Sequence, residues 1–360
     1  MTADTSAGLA PILLQLHNLS VDYGTDPGAV HAVDQVSLAI RQGEALGLAG
    51  ESGSGKSTLA HAVTRLLRNP ARVTGGEVWY HPPLSDQSSA DRHDSATGAP
   101  VEVLGMDKRA LRQFRWQEVA VVLQSAMNAL NPVLSVRAQL TDVLKTHRPE
   151  LTRRQRADRA AELLEVVGVS PDRLGSYPHE LSGGMRQRTM IAMALALSPR
   201  LIVMDEPTTA LDVVIQRQIL DELAELRQKF GFAMVFITHD LSLLLEIADT
   251  IAVMYAGRLV EYAGAEEIYR QPAHPYTVGL LKSFPPLAGP RRTLVGIPGS
   301  PPSLRQIPVG CPFAPRCEHA SATCTETAPV LATPADGASP GRLVACHHDR
   351  LSSRMEEAAS

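Results

Sequence analysis

The residues from Gly50 to Ser57 read GESGSGKS and fill every fixed position of the pattern G-x-x-x-x-G-K-[ST]. The apolar run Ala45–Ala49 precedes this segment as a buried strand would, and a helical pattern from Lys56 to Leu67 follows it. A glycine loop between a strand and a helix start directs backbone N–H groups at an anion, because glycine permits backbone angles that a side chain would block. The segment therefore predicts a loop that binds the phosphates of a nucleotide.

Two side chains at the end of this loop carry the chemistry. Lys56 would reach the β- and γ-phosphates, and Ser57 would offer its hydroxyl to Mg²⁺. A glycine-rich turn that matches the pattern by chance is the alternative. The residues predicted to contact the nucleotide from this loop are Gly50, Glu51, Ser52, Gly53, Ser54, Gly55, Lys56, Ser57 and Thr58.

Two acids, Asp205 and Glu206, end an apolar run that begins at Leu201. The carboxyl end of a buried strand in an α/β sheet is where ligands gather. Asp205 would hold Mg²⁺, directly or through water, and Glu206 would orient and deprotonate the attacking water. A solvated strand end is the alternative for this pair alone, but the phosphate loop in the same chain favours a nucleotide site.

The segment LSGGMRQR, from Leu181 to Arg188, opens a helical pattern that runs from Met185 to Leu197. Ser-Gly-Gly at a helix start presents a second N-terminus able to bind an anion, with a hydroxyl beside it. Because the phosphate loop already contacts the phosphates from one side, a second helix end makes sense if it closes on a nucleotide held by another subunit. An ordinary glycine-containing helix start is the alternative.

The composition of the 360-residue chain is that of a globular protein, with 44% hydrophobic and 20% charged residues. No run of 18 apolar residues predicts a transmembrane helix, and the N-terminus does not resemble a signal peptide, so we expect a location in the cytosol. The net charge of −4 argues against a nucleic-acid partner. All four cysteines follow residue 310, where a metal site is favoured over disulfides.

Strand and helix patterns alternate along the chain, which implies a largely parallel sheet covered on its faces. Short strands and turns are expected over residues 12–80, and a mobile polar insertion over 82–100. The pattern turns helical from about 135 to 180. The remaining expected elements are buried strands at 119–123, 201–206 and 233–237, a hairpin at 250–262, and an amphipathic helix with Ile215, Ile219, Leu223, Leu226 and Phe230 on one face.

The phosphate loop, LSGGMRQR, LIVMDEPT and a following Thr-His pair resemble, in this order, the nucleotide-binding domain of ABC transporters. The resemblance covers roughly residues 12–285. It implies an α/β fold of the P-loop NTPase class and ABC type, with a mixed sheet core, an antiparallel β subdomain and an α-helical subdomain at about 125–185. It also implies ATP and Mg²⁺ as ligands.

The same resemblance implies roles for residues outside the three motifs. Tyr23 would stack on adenine, Gln124 would sense Mg²⁺ and the attacking water, and His239 would contact the γ-phosphate. Asp212 would communicate across a dimer, and Ser182, Gly183 and Gly184 would bind the nucleotide held by the opposite subunit. The alternatives are a core aromatic for Tyr23, a surface polar residue for Gln124 and a helix cap for His239.

The C-terminal part of the chain indicates which branch of the ABC transporter family the sequence resembles. Gln271–Pro285 and Gly310–Cys317 resemble the C-terminal extension of ATPases of oligopeptide and dipeptide permeases, and Gln124–Leu134 is also similar to that branch. We therefore assign 12–265 to the nucleotide-binding domain and 266–350 to the extension. The resemblance implies a second ATPase subunit that is not identical, two membrane permease subunits and an extracytoplasmic substrate-binding protein, with this chain at the cytoplasmic face of the membrane.

Cys311, Cys317, Cys324 and Cys346 are spaced C-x5-C-x6-C-x21-C. Four thiolates suit a [4Fe–4S] cluster or structural zinc, and the spacing by itself selects neither. Some permease ATPases carry an iron–sulfur cluster on four such cysteines, so the resemblance favours [4Fe–4S], with zinc and free thiols as alternatives. A structural or docking role is expected for this site.

Together these features predict the ATP-hydrolysing subunit of a bacterial importer of di- or oligopeptides. An oligosaccharide or a metal chelate is the alternative cargo. A soluble ABC ATPase acting on DNA or ribosomes is the rival class, but the chain has neither a long coiled-coil insertion nor a tandem second nucleotide domain. A non-catalytic scaffold is disfavoured by Lys56, Asp205 and Glu206.

Overall fold

The computed structural model describes residues 10–25, 28–83, 98–123, 129–209, 211–283, 296–334, 339 and 341–348. Most of the predicted insertion at 82–100 lies outside these residues, and so does Gln124. None of the helices in these segments combines the length and apolar character that crossing a membrane requires.

The strands form two sheets. In chain order they are β1 (Ile12–Tyr23), β2 (Val30–Arg41), β3 (Ala45–Ala49), β4 (Ala71–Tyr80), β5 (Val101–Glu102), β6 (Val119–Val122), β7 (Leu201–Asp205), β8 (Ala233–Ile237), β9 (Thr250–Tyr255), β10 (Arg258–Gly264) and β11 (Leu343–Val344).

The α-helices of the described residues lie between these strands and after them. They are α1 (Lys56–Val63), α2 (Lys108–Gln113), α3 (Val136–His147), α4 (Arg153–Val166), α5 (Gly183–Leu195), α6 (Val213–Phe230), α7 (Leu241–Ile247), α8 (Ala265–Arg270), α9 (Pro275–Lys282) and α10 (Ala322–Glu326).

The larger sheet has seven strands in the order β11-β10-β9-β3-β8-β7-β6. Strands β3, β6, β7, β8 and β9 pair in parallel, while β10 and β11 add antiparallel pairs at one edge. The second sheet is antiparallel, in the order β2-β1-β4-β5. The mixed core sheet and the antiparallel sheet predicted from the sequence are therefore confirmed.

Strands β3, β6 and β8 are apolar along their whole length because each face of the larger sheet is covered by a different hydrophobic cluster. In β8, Met234 and Phe236 enter the cluster that contains the helices α3 to α7. The alternate residues Val235 and Ile237 enter the cluster that contains β1, β2 and α1. A strand buried on both faces has no polar side, which is why it was recognisable as a continuous apolar run.

Several predicted elements differ from the structure. The helix expected at 185–197 runs from Gly183 to Leu195, and β1 and β2, expected to be short, have 12 residues each. The first helix ends at Val63 rather than Leu67, because Thr64 caps it and Arg65 has a left-handed backbone with φ of 53°. Ile219, Leu223 and Leu226 of α6 are buried as predicted, but Phe230, the last residue of the helix, is 38% exposed.

The C-terminal residues of the described chain return to the larger sheet through β11. Beside that strand, Arg342 reaches Glu261 of β10, whose carboxylate is fully buried, with 3.2 Å from Nη2 to Oε1. Arg342 also contacts Glu267 at 2.9 Å and donates to the carbonyl of Gln271. Glu261 accepts the backbone N–H of Ala273. Burial raises the pKa of Glu261, so its charge depends on these donors.

Arg342→Ala should lower the free energy of unfolding by about 3 kcal/mol, because it leaves the Glu261 carboxylate buried without its cation. Arg154→Ala is the matched control, since the Arg154–Asp158 pair is 93% and 66% exposed and should change stability by less than about 0.5 kcal/mol. Denaturant titration of both variants makes the comparison. Equal losses would show that the buried pair does not hold the C-terminal strand.

Candidate nucleotide site

The loop between β3 and α1 has the backbone that the glycine pattern predicted. Gly50 has φ of 143°, and a Cβ there would lie 2.3 Å from the carbonyl oxygen of Met254. Gly55, the N-cap of α1, has φ of 104°, and its Cβ would lie 2.2 Å from the carbonyl oxygen of Ala32. No side chain fits at either position, so β2 and β9 hold the loop tightly against the start of α1.

Lys56 lies inside this loop and is 5% exposed. Its Nζ donates to the carbonyl oxygens of Gly50 at 2.7 Å and Glu51 at 2.9 Å, and to Ser54 Oγ at 3.3 Å. Burial lowers the pKa of Lys56 to about 8, and the charges of Glu206, Asp205 and Glu51 oppose that shift. The ammonium is thus held where the loop closes, surrounded by acceptors that an anionic ligand can replace.

Ser57 and Asp205 meet beside the loop. Ser57 Oγ donates to Asp205 Oδ1 over 3.0 Å, and Asp205 is 2% exposed. Burial raises the pKa of Asp205, while the Ser57 hydrogen bond and nearby His61 and Lys56 lower it. A hydroxyl and a carboxylate next to a phosphate loop are oxygen ligands of the kind that Mg²⁺ takes together with nucleotide phosphates.

Glu206 follows directly after β7, at the carboxyl edge of the sheet. Its backbone has φ of 45°, which is uncommon outside glycine, and its N–H donates to the carbonyl of Ile237 at 2.9 Å. Thr209 Oγ1 donates to Glu206 Oε2 over 3.1 Å, and Nδ1 of His239 lies 3.3 Å from Oε1. The structure therefore brings Glu206 and His239 together and supports the carboxylate from both sides.

Ser182 and Asp212 are the N-caps of α5 and α6. Ser182 Oγ accepts the N–H of Met185 at 3.3 Å, and Asp212 Oδ1 accepts the N–H groups of Val214 and Ile215. Both capping residues are exposed. The two helix starts adjoin, because a Cβ on Gly184 would lie 3.0 Å from a methyl group of Ile215.

Tyr23 ends β1 and shares a 3.1 Å hydrogen bond with Oγ1 of Thr58 in α1. This contact places the tyrosine beside the helix that follows the phosphate loop. Its stacking on adenine stays a prediction, as does the role of Gln124, which lies outside the described residues.

Several contacts at the loop have no signal in the sequence. Arg316 forms an ion pair with the Glu51 carboxylate at 2.7 Å, and the Tyr276 hydroxyl accepts the Glu51 N–H at 2.8 Å. Thr209, which supports Glu206, was also missed. Arg316 and Tyr276 both lie in segments that resemble the C-terminal extension of permease ATPases. Nothing in the sequence, however, indicates that they contact a residue 225 or more positions away.

The four cysteines lie in one region of the C-terminal segment, near enough to one another for their charges to interact. The Cys311 N–H donates to the carbonyl of Cys324 at 2.7 Å, and Cys317 ends the short turn Ala314–Arg316. Burial, together with the negative charges of the other three cysteine thiolates, raises the pKa of Cys346 to about 12. Among the described residues, no group of three or more His, Cys, Asp or Glu side chains has the arrangement that holds a metal ion.

Comparison with protein-family models gives two matches. The ABC transporter family matches residues 33–209. The family described as the C-terminal region of oligopeptide/dipeptide transporters matches residues 260–324.

Curated relatives match over most of the chain. The oligopeptide transport ATP-binding protein OppD of Salmonella typhimurium is 41% identical over 347 residues, which is 96% of each chain. The dipeptide transport ATP-binding protein DppD of Haemophilus influenzae is 42% identical over 322 residues, 89% of this chain and 92% of that protein.

A solved structure shares the fold. The dimeric ATP-binding cassette MJ0796, in a post-hydrolysis state with ADP and Pi, aligns with a TM-score of 0.58 and 26% identity, covering 70% of this chain and 99% of that chain. A second likeness, to cbiO1 of Clostridium perfringens, has a TM-score of 0.58 at 22% identity and supports the fold alone.

The lowered pKa of Lys56 predicts how nucleotide affinity depends on pH. The lysine is protonated below about pH 8 and loses its proton above it, so the attraction for a triphosphate weakens as pH rises through this value. The Kd for ATP should rise above about pH 8, approaching tenfold per pH unit. Isothermal titration across this range measures the effect.

Lys56→Arg is the matched control for this titration, because a guanidinium keeps its charge throughout the range. Its Kd for ATP should vary little with pH, even if the affinity is lower at every pH. A wild-type Kd that stays constant to two pH units above the Lys56 pKa would contradict the assignment of this lysine as the phosphate-binding cation.

Proposed function

The chain belongs to the ABC transporter family, and from that premise we propose that it is the ATP-hydrolysing subunit of a bacterial importer of oligopeptides or dipeptides. The cargo is inferred from the OppD and DppD proteins, to which the chain is similar along most of its length, and from the match of its C-terminal region. The observation that carries the ATPase function is the hydrogen bond between Ser57 and Asp205 beside the Lys56 loop.

Each residue of this site has a proposed role in ATP hydrolysis. The loop N–H groups and Lys56 bind the phosphates, while Ser57 and Asp205 would hold the Mg²⁺ that neutralises their charge. Glu206 orients the attacking water and accepts its proton. His239, whose side chain is 59% exposed next to Glu206, would contact the terminal phosphate of a bound nucleotide.

The exposed helix starts at Ser182 and Asp212 form the second half of the proposed machinery. Ser182, Gly183 and Gly184 would contact a nucleotide bound to a second ATPase subunit, and Asp212 would lie at the boundary between the two subunits. Backbone N–H groups at a helix start, together with a serine hydroxyl, suit a phosphate. Closure of the pair around ATP would drive the permease subunits, because ATP then favours the closed state over the open one.

The proposed partners are a second ATPase subunit that is not identical, two integral membrane permease subunits and an extracytoplasmic substrate-binding protein. The chain would lie at the cytoplasmic face of the membrane, bound to the permease subunits. Support for this assembly comes from the relatives, whose names describe transport ATP-binding proteins.

We further propose that Cys311, Cys317, Cys324 and Cys346 take up a [4Fe–4S] cluster, with zinc as the alternative. Four thiols in one region are a suitable donor set, and their electrostatic effects on one another indicate that they lie near each other. Among the described residues they do not have the arrangement of a preformed metal site. Burial also raises the pKa of Cys311, Cys317 and Cys346, so metal uptake would have to release their protons.

Glu206→Gln should lower the rate of ATP hydrolysis at least a hundredfold, because the general base is lost, with the Kd for ATP nearly unchanged. The variant should also hold the ATP-loaded pair in its closed state. Single-turnover hydrolysis and size-exclusion chromatography measure the two effects.

Glu225→Gln, an identical chemical change on the exposed side of α6, is the control for Glu206→Gln and should hydrolyse ATP at the wild-type rate. Hydrolysis by Glu206→Gln within about tenfold of wild type would mean that another group is the base.

For the cysteines, anaerobically purified protein should be brown, contain iron and sulfide, and lose both in Cys317→Ser. Elemental analysis and visible absorption measure this. One zinc per chain and no colour would show that the site binds zinc and no cluster. If neither iron nor zinc is found, the cysteines are free thiols.

A further inference from the structure

The C-terminal segment makes a direct contact with the phosphate loop at Glu51. Arg316 donates from Nη1 to Glu51 Oε2 at 2.7 Å and from Nη2 to Oε1 at 3.0 Å, a bidentate pair. Such a pair fixes the relative orientation of both groups, because two parallel hydrogen bonds must be satisfied together. The Arg316 side chain is 4% exposed and that of Glu51 29%, so solvent reaches the guanidinium hardly at all.

Arg316 is itself held rigidly by the structure around it. Its Nε donates to the carbonyl of Pro298 at 2.7 Å, and Nη1 also donates to the Tyr255 hydroxyl at 3.3 Å. The guanidinium lies 5.8 Å from the ring centre of Tyr255 and 6.0 Å from that of Phe313. The hydrogen bonds with Glu51 raise the pKa of Arg316, so it remains a cation.

Tyr276 of α9 holds the main chain of the same loop residue. Its hydroxyl accepts the Glu51 N–H at 2.8 Å, and the tyrosine is fully buried. Its ring packs 4.6 Å from the ring centre of Tyr255 and 5.4 Å from that of Phe313. Both the side chain and the peptide N–H of Glu51 are thus fixed by residues that follow the nucleotide-binding motifs in the chain.

The position of Glu51 matters because its carbonyl oxygen accepts a hydrogen bond from Lys56 at 2.9 Å. A shift of the Glu51 backbone would therefore move one of the acceptors that hold the Lys56 ammonium in place. The Glu51 carboxylate also stands in the loop that binds a polyphosphate, where an uncompensated negative charge would repel the ligand. Arg316 supplies the compensating charge.

We propose that Arg316 is a positioning residue of the nucleotide site, which acts through Glu51 and with Tyr276 to hold the phosphate loop and to neutralise its carboxylate. This inference rests on the proposed nucleotide site. It gives the C-terminal segment a part in ATP binding in addition to any part in docking or metal binding.

The test uses the full-length chain with ATP and excess Mg²⁺. Arg316→Ala should raise the Kd for ATP about tenfold, as expected for loss of a charge-assisted pair, while hydrolysis at saturating ATP changes little. Adding Glu51→Gln to Arg316→Ala should restore most of the affinity, because it removes the carboxylate that Arg316 had neutralised. A purely structural anchor would not be rescued in this way.

Arg305→Ala is the matched control. Arg305 also joins the C-terminal segment to the core, by donating to the carbonyl of Gly28 at 3.1 Å, and Gly28 lies outside the phosphate loop. Its Kd for ATP should equal that of wild type. Equal effects of Arg305→Ala and Arg316→Ala would overturn the proposal.

Two further outcomes test the proposed role of Arg316. If Arg316→Ala folds and binds ATP within twofold of wild type, or if the double variant shows no rescue, the proposal is wrong. If Arg316→Ala does not fold, Tyr276→Phe replaces it, because that change removes only the hydroxyl that accepts the Glu51 N–H. An increase of about fivefold in its Kd supports the proposal, and an unchanged Kd overturns it.

Wild type and Lys56→Ala are measured in parallel to separate this inference from the proposed function. Wild-type protein that neither binds nor hydrolyses ATP would contradict the nucleotide site itself. Wild-type protein that binds ATP, with binding lost in Lys56→Ala and unchanged in Arg316→Ala, would contradict only the role of Arg316.

Discussion

The nucleotide site depends on one constraint, which is that the ammonium of Lys56 is buried inside a glycine loop. Lys56 can occupy this position because the carbonyls of Gly50 and Glu51 solvate it and because Asp205, Glu206 and Glu51 lie near enough to favour its charge. A buried cation without such partners would be costly. The site is therefore preorganised for a ligand that brings its own negative charge.

This constraint accounts for the arrangement of the surrounding elements. The loop must pass so close to β2 and β9 that a Cβ at Gly50 or Gly55 would collide with a main-chain oxygen. The parallel strands β3, β7 and β8 end at the same edge of the sheet, which places Asp205 and Glu206 beside the loop. The C-terminal segment fixes Glu51, because Arg316 pairs with its carboxylate and the Tyr276 hydroxyl accepts its N–H.

The sequence predicted the parts of this site that arise from local pattern. The apolar runs before Gly50 and Glu206 predicted the strands, and the glycines predicted the loop, because each depends on neighbouring residues only. The contacts of Glu51 with Arg316 could not be predicted, since they depend on how a segment 265 residues away folds back. The end of α1 at Val63 and the exposure of Phe230 also depend on tertiary packing that no local pattern records.

The most direct measurement is ATP hydrolysis by the full-length chain assembled with its permease subunits in lipid vesicles, with and without a peptide-loaded binding protein. We expect hydrolysis that requires Mg²⁺ and becomes faster when peptide is supplied. Hydrolysis that is absent, or that proceeds at the same rate whether or not peptide is present, would contradict the assignment of this chain as the ATPase of a peptide importer.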